Sequence, residues 1–190
     1  MSLAMNAIAS LLGSAEQRLR RLIGDERGVS AVEFAMLLPL MLTLYLGAVE
    51  TSQGIGAGRK VTLTARTICD LVSQVQSVGN ADMTNALNAA SSVMVPFPVS
   101  NLKVTVSSVK IDANGKATID WSDSLNGTAR SKGSTVTLPA ALNVANSYLI
   151  WSEVQYSYKP VIGYVVTGTL TLKDQIYMRP RLSDFVTRGT

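Results

Sequence analysis

The sequence predicts an α+β fold in which an N-terminal transmembrane helix is followed by an amphipathic helix packed on a small antiparallel β-sheet. Three observations support this prediction. Residues 29–49 form an apolar run in which Glu33 is the only charged residue. Apolar residues recur at spacings of three and four over residues 60–78, which is typical of an amphipathic helix. After Pro98 the pattern changes to an alternation of apolar and polar residues, which is typical of strands.

The apolar run from Val29 to Val49 is long enough to cross a membrane, because a helix needs about 20 such residues to span a hydrocarbon core of roughly 30 Å. A carboxylate within such a span is costly and usually marks function, which singles out Glu33. Arginines precede the run, and the next basic residues after it are Arg59 and Lys60. By the positive-inside bias, the N-terminus is expected in the cytoplasm and the C-terminal domain in the periplasm of a bacterium.

A cleaved secretory signal peptide is the alternative interpretation of this run. Such a peptide carries positive charge first, then a short apolar stretch and a small-residue cleavage site. Residues 1–13 contain no basic residue, and polar residues 50–53 follow the run without an obvious signal-peptidase site. The run is therefore expected to remain as a membrane anchor.

Composition excludes several classes of function. The net charge is +4, but the basic residues are dispersed, which argues against nucleic-acid binding. The absence of histidine excludes histidine triads and histidine metal sites. The single Cys69 cannot form an internal disulfide, and we expect it to be buried on a helix face, the alternative being a bond to another chain. No serine or carboxylate has a partner base at a recognisable spacing, so we expect no enzyme and no cofactor.

A cluster of oxygen-bearing residues raises the question of a calcium site. The side-chain oxygens of Asp120, Asp123 and Asn126 are spaced by three, Gly127 follows them, and no closing glutamate is present. An EF-hand loop instead alternates its ligands at every second residue and closes with a glutamate. A solvated turn is the expected structure, and no metal is predicted.

Four residues of the N-terminal helical region are predicted to act as a hinge. Gly54, Gly56 and Gly58 follow a membrane helix rather than a strand, so they do not fit a dinucleotide-binding fingerprint. Each glycine weakens a helix by up to about 1 kcal/mol, and we expect the helix to be interrupted there. Pro39, within the span, removes one backbone hydrogen bond and adds a second bending point.

The periodicity predicts two helices before the sheet. The first covers residues 60–78 and ends at Gly79-Asn80. A shorter second helix begins with Asp82 as its N-cap and carries an apolar face formed by Met83, Leu87, Ala90 and either Val93 or Met94.

Four strands are predicted beyond Pro98. The first is centred on residues 102–106, and Asn114-Gly115 predicts a hairpin to a second strand over residues 117–121. Residues 123–134 read as a loop, and long strands are expected over residues 148–158 and 165–179. We expect a meander with the amphipathic helix across its apolar face.

Residues 27–39 (Arg-Gly-Val-Ser-Ala-Val-Glu-Phe-Ala-Met-Leu-Leu-Pro) resemble the start of TadE-like pseudopilins of the tight-adherence (Tad/Flp, type IVb-like) pilus system. The resemblance continues through Glu50 and recurs at residues 154–160 and 178–180. It implies a pilin-like protein of four segments. These are a cleaved cytoplasmic leader (1–28), a transmembrane helix (29–49), a helical stalk with a connecting helix (50–98) and a periplasmic sheet domain (99–190).

The resemblance also implies roles for four residues. An aspartic-type prepilin peptidase would cut between Gly28 and Val29, because a side chain at Gly28 would obstruct access to the scissile carbonyl. Glu33 would pair with the freed amine of Val29 or of a neighbouring subunit, since opposite charges compensate each other's desolvation. Phe34 would take part in processing. The alternatives left open are that Glu33 snorkels to the cytoplasmic interface and that Phe34 is lipid-facing bulk.

The function implied is that of a minor pilin, because the outer domain is far larger than that of a principal pilus subunit. The expected partners are the membrane, the prepilin peptidase, other minor pilins, the major Flp pilin and the inner-membrane assembly platform. The alternative is an uncleaved single-pass adaptor of an envelope complex. Aromatic residues Trp121, Trp151 and Tyr148 are candidates for contact with a surface ligand, the alternative being packing within the sheet domain.

Overall fold

The computed structural model describes residues 27–160, 162–163 and 167–189. A long helix opens the described chain, and an antiparallel β-sheet of five strands follows, so the predicted α+β class is confirmed. The contacts divide the chain into two compact units, one ending at Gly47 and the other beginning at Ala48. Most of the predicted leader and the predicted start of the last strand, Val165 and Val166, lie outside the described residues.

Helix α1 runs without a break from Arg27 to Ser73 and contains both Pro39 and the three glycines. The predicted interruption at the glycines is therefore wrong, and the helix ends six residues before Gly79. Propensity is a weak prior that packing overrides, and here the buried side chain of Ala57 lies among the glycines. A Cβ built on Gly54 would lie 3.7 Å from the Tyr158 ring, so this turn packs closely on the sheet.

A short strand and a second helix connect α1 to the sheet. Strand β1 is Ser77–Val78 and helix α2 is Asn80–Ser92. The N-cap of α2 is Gly79, and the Asp82 carboxylate accepts a hydrogen bond from the Gly79 amide at 3.1 Å. Asp82 thus lies in the first turn, where a negative charge also complements the helix dipole, and not at the predicted N-cap position.

The sheet consists of β2 (Leu102–Ile111), β3 (Ala117–Leu125), β4 (Thr135–Val136), β5 (Ser147–Tyr158) and β6 (Leu170–Met178). The predicted β2–β3 hairpin is present, with Gly115 at a φ of +78°. The spatial order is β4-β3-β2-β5-β6, so the predicted meander is wrong where β5 crosses over to pair with β2. In this order β2 and β5 lie inside the sheet, with a neighbouring strand on each side. They are also the two strands with the most core-facing apolar residues.

The main core lies between α1 and one face of the sheet. The helix contributes a stripe that is almost fully buried, formed by Ala57, Val61, Ala65, Ile68, Cys69 and Val72. Facing it are side chains of β2 and β5 that include Val104, Val106, Ile150, Val154 and Tyr156. The predicted packing of an amphipathic helix on the sheet is therefore confirmed.

A smaller core lies on the opposite face of the sheet. In β2 the apolar positions change from even to odd numbers at Ser107-Ser108, so Val109 and Ile111 face away from α1. The connection between β3 and β5 covers this half of the face with Val136, Leu138 and Leu142. Over the other half of the same face, no segment among the described residues provides such a cover.

The C-terminal segment returns to the end of α1. Strand β7 (Thr187–Arg188) pairs in parallel with β1, and the Arg181 amide donates to the Ser73 carbonyl at 2.8 Å. That bond satisfies one of the carbonyls left unpaired at a helix end. The Arg188 guanidinium pairs with Asp123 at 2.8 Å, which ties this segment to β3.

Candidate processing and assembly site

The residues predicted to act in processing occupy the first two turns of α1. Gly28 is exposed, and a Cβ added there would meet no atom within 4 Å. Val29 and Phe34 are 59% and 58% exposed, and Glu33 is exposed as well. Val29 and Glu33 are separated by four residues, which places them on one helical face with a rise of about 6 Å between them. Cleavage and charge pairing at these residues remain predictions.

The part of α1 around this site consists of exposed residues. Every residue from Gly28 to Tyr45 is exposed, and among residues 29–49 Glu33 is the only charged one. A helix that is apolar all round is stable when hydrocarbon or other helices surround it. Among the described residues, one helix is long and apolar enough to cross a membrane, and its most apolar part is wholly unburied.

The four predicted hinge residues all lie inside the continuous helix, in contrasting surroundings. Pro39 is exposed, and its carbonyl accepts a hydrogen bond from the Thr43 hydroxyl at 2.8 Å. Gly54 packs near the Tyr158 ring, whereas Gly56 and Gly58 have open space where a side chain would lie. Bending at these residues remains a prediction.

The first buried charged residue of α1 is Glu50, which is 2% exposed. Burial raises the pKa of the nearby Tyr158 hydroxyl, and the negative charge of Glu50 raises it further. Glu50 thus marks the point along α1 at which side chains begin to be buried by the sheet domain.

Of the aromatic residues considered as surface contacts, the two tryptophans are core residues. The Trp121 indole is buried and donates to the Val186 carbonyl at 2.7 Å. Trp151 is also buried and stacks on Tyr177 with ring centroids 5.5 Å apart. Tyr148 lies against Phe185, with centroids 5.3 Å apart. For the tryptophans, the structure supports the packing alternative.

The residues considered for calcium are engaged within the protein. Asp120 and Asp123 lie in β3, not in a turn, and they pair with Lys132 and Arg188 respectively. The Asn126 amide donates to the Leu102 carbonyl at 3.0 Å. Within the described ranges, no three His, Cys, Asp or Glu side chains group as metal ligands.

Arg130 is a residue whose placement the sequence pattern did not indicate. It lies in the predicted loop, where glycine and polar residues carry no periodicity, yet its guanidinium makes two hydrogen bonds to Glu153, at 2.9 and 2.7 Å. It also lies 4.2 Å from the centre of the Trp151 ring, within range of a cation–π contact. The hydrogen bonds to Glu153 raise the pKa of Arg130, and burial opposes that shift.

Cys69 is fully buried, as predicted, and its thiol donates to the Ile150 carbonyl at 3.2 Å. Burial raises the pKa of this thiol to about 12. A thiol this strongly held in its neutral form is inert, because the thiolate is the reactive species.

Comparison with known proteins finds one family. Residues 28–69 match the model of the family described as TadE-like protein. The matched segment contains the candidate processing residues and nearly all of α1. No curated protein and no solved structure matches the chain.

Proposed function

We propose that this chain, a TadE-like protein associated with the Tad pilus, is a minor pilin that a prepilin peptidase processes after Gly28. The observation that carries the proposal is the family match at residues 28–69, which begins at the glycine that precedes the proposed cut. The family is one of structural and assembly proteins, and the proposed role is accordingly non-enzymatic. The chain takes part in building an adhesive pilus.

The exposed apolar segment of α1 supports a membrane anchor in the inner membrane. Large side chains of residues 29–45 meet no core within the described chain, so their burial requires lipid or neighbouring helices. With arginines before the segment, the N-terminus lies in the cytoplasm and the sheet domain in the periplasm.

The spacing of Val29 and Glu33 supports the proposal that cleavage creates a charge partner for the Glu33 carboxylate. Cleavage after Gly28 would create a positively charged amine on Val29, one helical turn from the Glu33 carboxylate. In hydrocarbon, each charge alone is costly, whereas the pair compensates much of that cost. The partner amine belongs to the same chain or to an adjacent subunit.

Lateral packing of membrane helices would join this chain to other minor pilins and to the major Flp pilin, on the inner-membrane assembly platform. The large domain that follows Ala48 supports a minor component, because it carries its own helix-on-sheet core and not a short tail. Prepilin peptidase is the remaining partner, acting before assembly.

The test is the mass of the membrane-bound protein from cells with and without prepilin peptidase. With the peptidase we expect a chain that begins at Val29, and without it a chain that retains residues 1–28. Gly28→Leu should abolish cleavage, because the side chain would block access to the scissile bond. Pili should then be few or absent.

Gly56→Leu is the matched control, since Gly56 lies in the same helix and also has open space around it. We expect it to leave the mass of the processed chain normal apart from the substitution. An intact leader in the parent protein, with peptidase present, would instead favour the uncleaved adaptor.

A further inference from the structure

The face of the sheet that points away from α1 contains an open cleft. The β3–β5 connection covers one half of this face, and the uncovered half forms a cleft of about 760 Å³. Its floor is formed by β2, β5 and β6, and its wall by the start of the connection, around Thr128 and Arg130. This volume lies within the range of about 300–1,000 Å³ found for ligand pockets.

The floor presents side chains in two rows that cross the strands in register. Lys103, Gln155 and Lys173 form the first row, one residue on each of the three strands. The second row, in the same strand order, is formed by Thr105, Glu153 and Gln175. Each row spans two strand spacings, or about 10 Å. A ligand that extends over this distance can therefore contact all three residues of a row at once.

The charges of the cleft are unequally compensated. Glu153 accepts two hydrogen bonds from Arg130, so its negative charge is matched. Asp174 accepts a hydrogen bond from the Thr62 hydroxyl of α1, on the helix side of the sheet. Among the described residues, Lys103 and Lys173 have no carboxylate within ion-pair distance. The two outer positions of the first row therefore offer positive charge to a ligand.

The chemistry of the floor favours a glycan over a peptide. Backbone groups of the central strands are consumed in the pairs of β5 with β2 and β6, so a peptide lying on this face could not add a strand. Apart from Val154 and Gly127, the residues that line the cleft are polar or charged, so few of them can anchor apolar peptide side chains. Its amides and hydroxyls suit sugar hydroxyl groups, which both donate and accept, and its two lysines suit carboxylates.

We propose that this cleft binds an acidic polysaccharide, with Lys103 and Lys173 contacting carboxylates on successive parts of the polymer and Gln155 contacting a hydroxyl group between them. The site goes beyond the proposed role in pilus assembly and does not depend on leader cleavage. Because Arg130 holds Glu153, the carboxylate in the second row does not repel the ligand.

The test uses the full chain in a nonionic detergent, with polygalacturonate as the probe and binding measured by calorimetry at low and moderate salt. We expect the Lys103→Gln/Lys173→Gln variant to bind about tenfold more weakly, as for the loss of two exposed charge contacts. The matched control is Lys110→Gln/Lys159→Gln, which removes the same charge from exposed lysines outside the cleft and should bind within about twofold of the parent.

Two further polymers decide what the cleft recognises. Neutral dextran should bind far more weakly than polygalacturonate, because it offers no carboxylate to the lysines. Poly-L-glutamate should also bind more weakly, because it lacks sugar hydroxyl groups. Equal binding of poly-L-glutamate, equal loss in the control variant or no binding of polygalacturonate by the parent would each overturn the proposal. These outcomes leave the cleavage test unaffected, since that test measures mass and not binding.

Discussion

The two parts of helix α1 differ in what surrounds their apolar residues. From Gly28 to Tyr45 apolar side chains point in every direction and all are exposed within the described chain. From Ala57 to Val72 the buried side chains form one stripe, and the opposite side carries Arg59 and Arg66. The backbone is helical in both parts, so hydrogen bonding does not distinguish them.

This difference shows that hydrophobicity alone does not decide whether a helical segment packs into the core of the chain. The amphipathic pattern of the segment decides it. The first part is the more apolar of the two, yet it contributes nothing to the core of the sheet domain. A helix that is apolar all round is buried by hydrocarbon or by other helices on every side. A helix with a single apolar stripe needs only one face of a sheet to bury that stripe. A mutation should therefore affect assembly in the first part and folding in the second.

The largest effect expected from this contrast is that of Glu33→Gln in the first part. If Glu33 pairs with the amine of Val29, removing the carboxylate leaves an unpaired charge in low dielectric, at a cost of about 3–5 kcal/mol. We expect at least about a hundredfold less of the variant in purified pili, measured by quantitative immunoblotting, with cleavage unchanged by mass.

Glu26→Gln is the control for Glu33→Gln, because it alters a carboxylate in the leader that processing would remove. It should be incorporated like the parent. Full incorporation of Glu33→Gln would show that the charge pair plays no part in assembly.

A second pair of substitutions compares folding in the two parts. Ile68 is fully buried in the core, and Ile68→Ala should destabilise the sheet domain by about 2–5 kcal/mol because it leaves a cavity. Leu40 is 58% exposed, and Leu40→Ala should change the same unfolding free energy by less than about 0.5 kcal/mol. Denaturant unfolding in detergent, followed by tryptophan fluorescence, reports both values. Similar losses from the two variants would contradict the division of roles.

The smallest effect concerns pH and the thiol of Cys69. Its pKa is raised from 9.0 to about 12 in the folded protein, so the folded state favours the neutral thiol. The corresponding stability is fully present below pH 9 and is lost as the pH rises from 9 to 12. Between pH 8 and pH 10 we expect a loss of about 1 kcal/mol from this group.

Cys69→Ala isolates the contribution of the thiol, since the buried tyrosines remain in both proteins. The variant should lose less stability than the parent over the same pH interval, as measured by the difference between the two unfolding curves. Identical pH dependence in the two proteins would mean that the thiol does not titrate differently on unfolding.

Local patterns predicted much of the fold, whereas the roles assigned to the candidate site residues remain predictions. The stripe from Val61 to Val72, the hairpin at Asn114-Gly115 and the burial of Cys69 all follow from spacing or residue type. The continuity of α1 through Gly54, Gly56 and Gly58 could not be predicted that way, because it depends on packing against distant residues such as Tyr158. The position of β5 beside β2 could not be predicted from local patterns either, because it depends on which strands pack against α1.

Residues distant in the sequence form the cleft that we propose as a glycan site. Lys103, Gln155 and Lys173 share a row only because β2, β5 and β6 are neighbours in a particular register. Arg130 compensates Glu153 only because the connection after β3 folds back over the sheet. Neither the row of residues nor the contact between Arg130 and Glu153 produces a periodic pattern in the sequence.

What the sequence alone determined about this protein is its local character: an apolar span with one carboxylate, an amphipathic helix and strands that alternate. These features arise from interactions between residues a few positions apart, whose spacing can be read directly. Tertiary structure alone decided the strand order, the return of the C-terminal segment to Ser73 and the composition of the cleft. The physical reason is that these depend on which apolar faces bury one another, and that is decided by competition among all the elements of the domain at once.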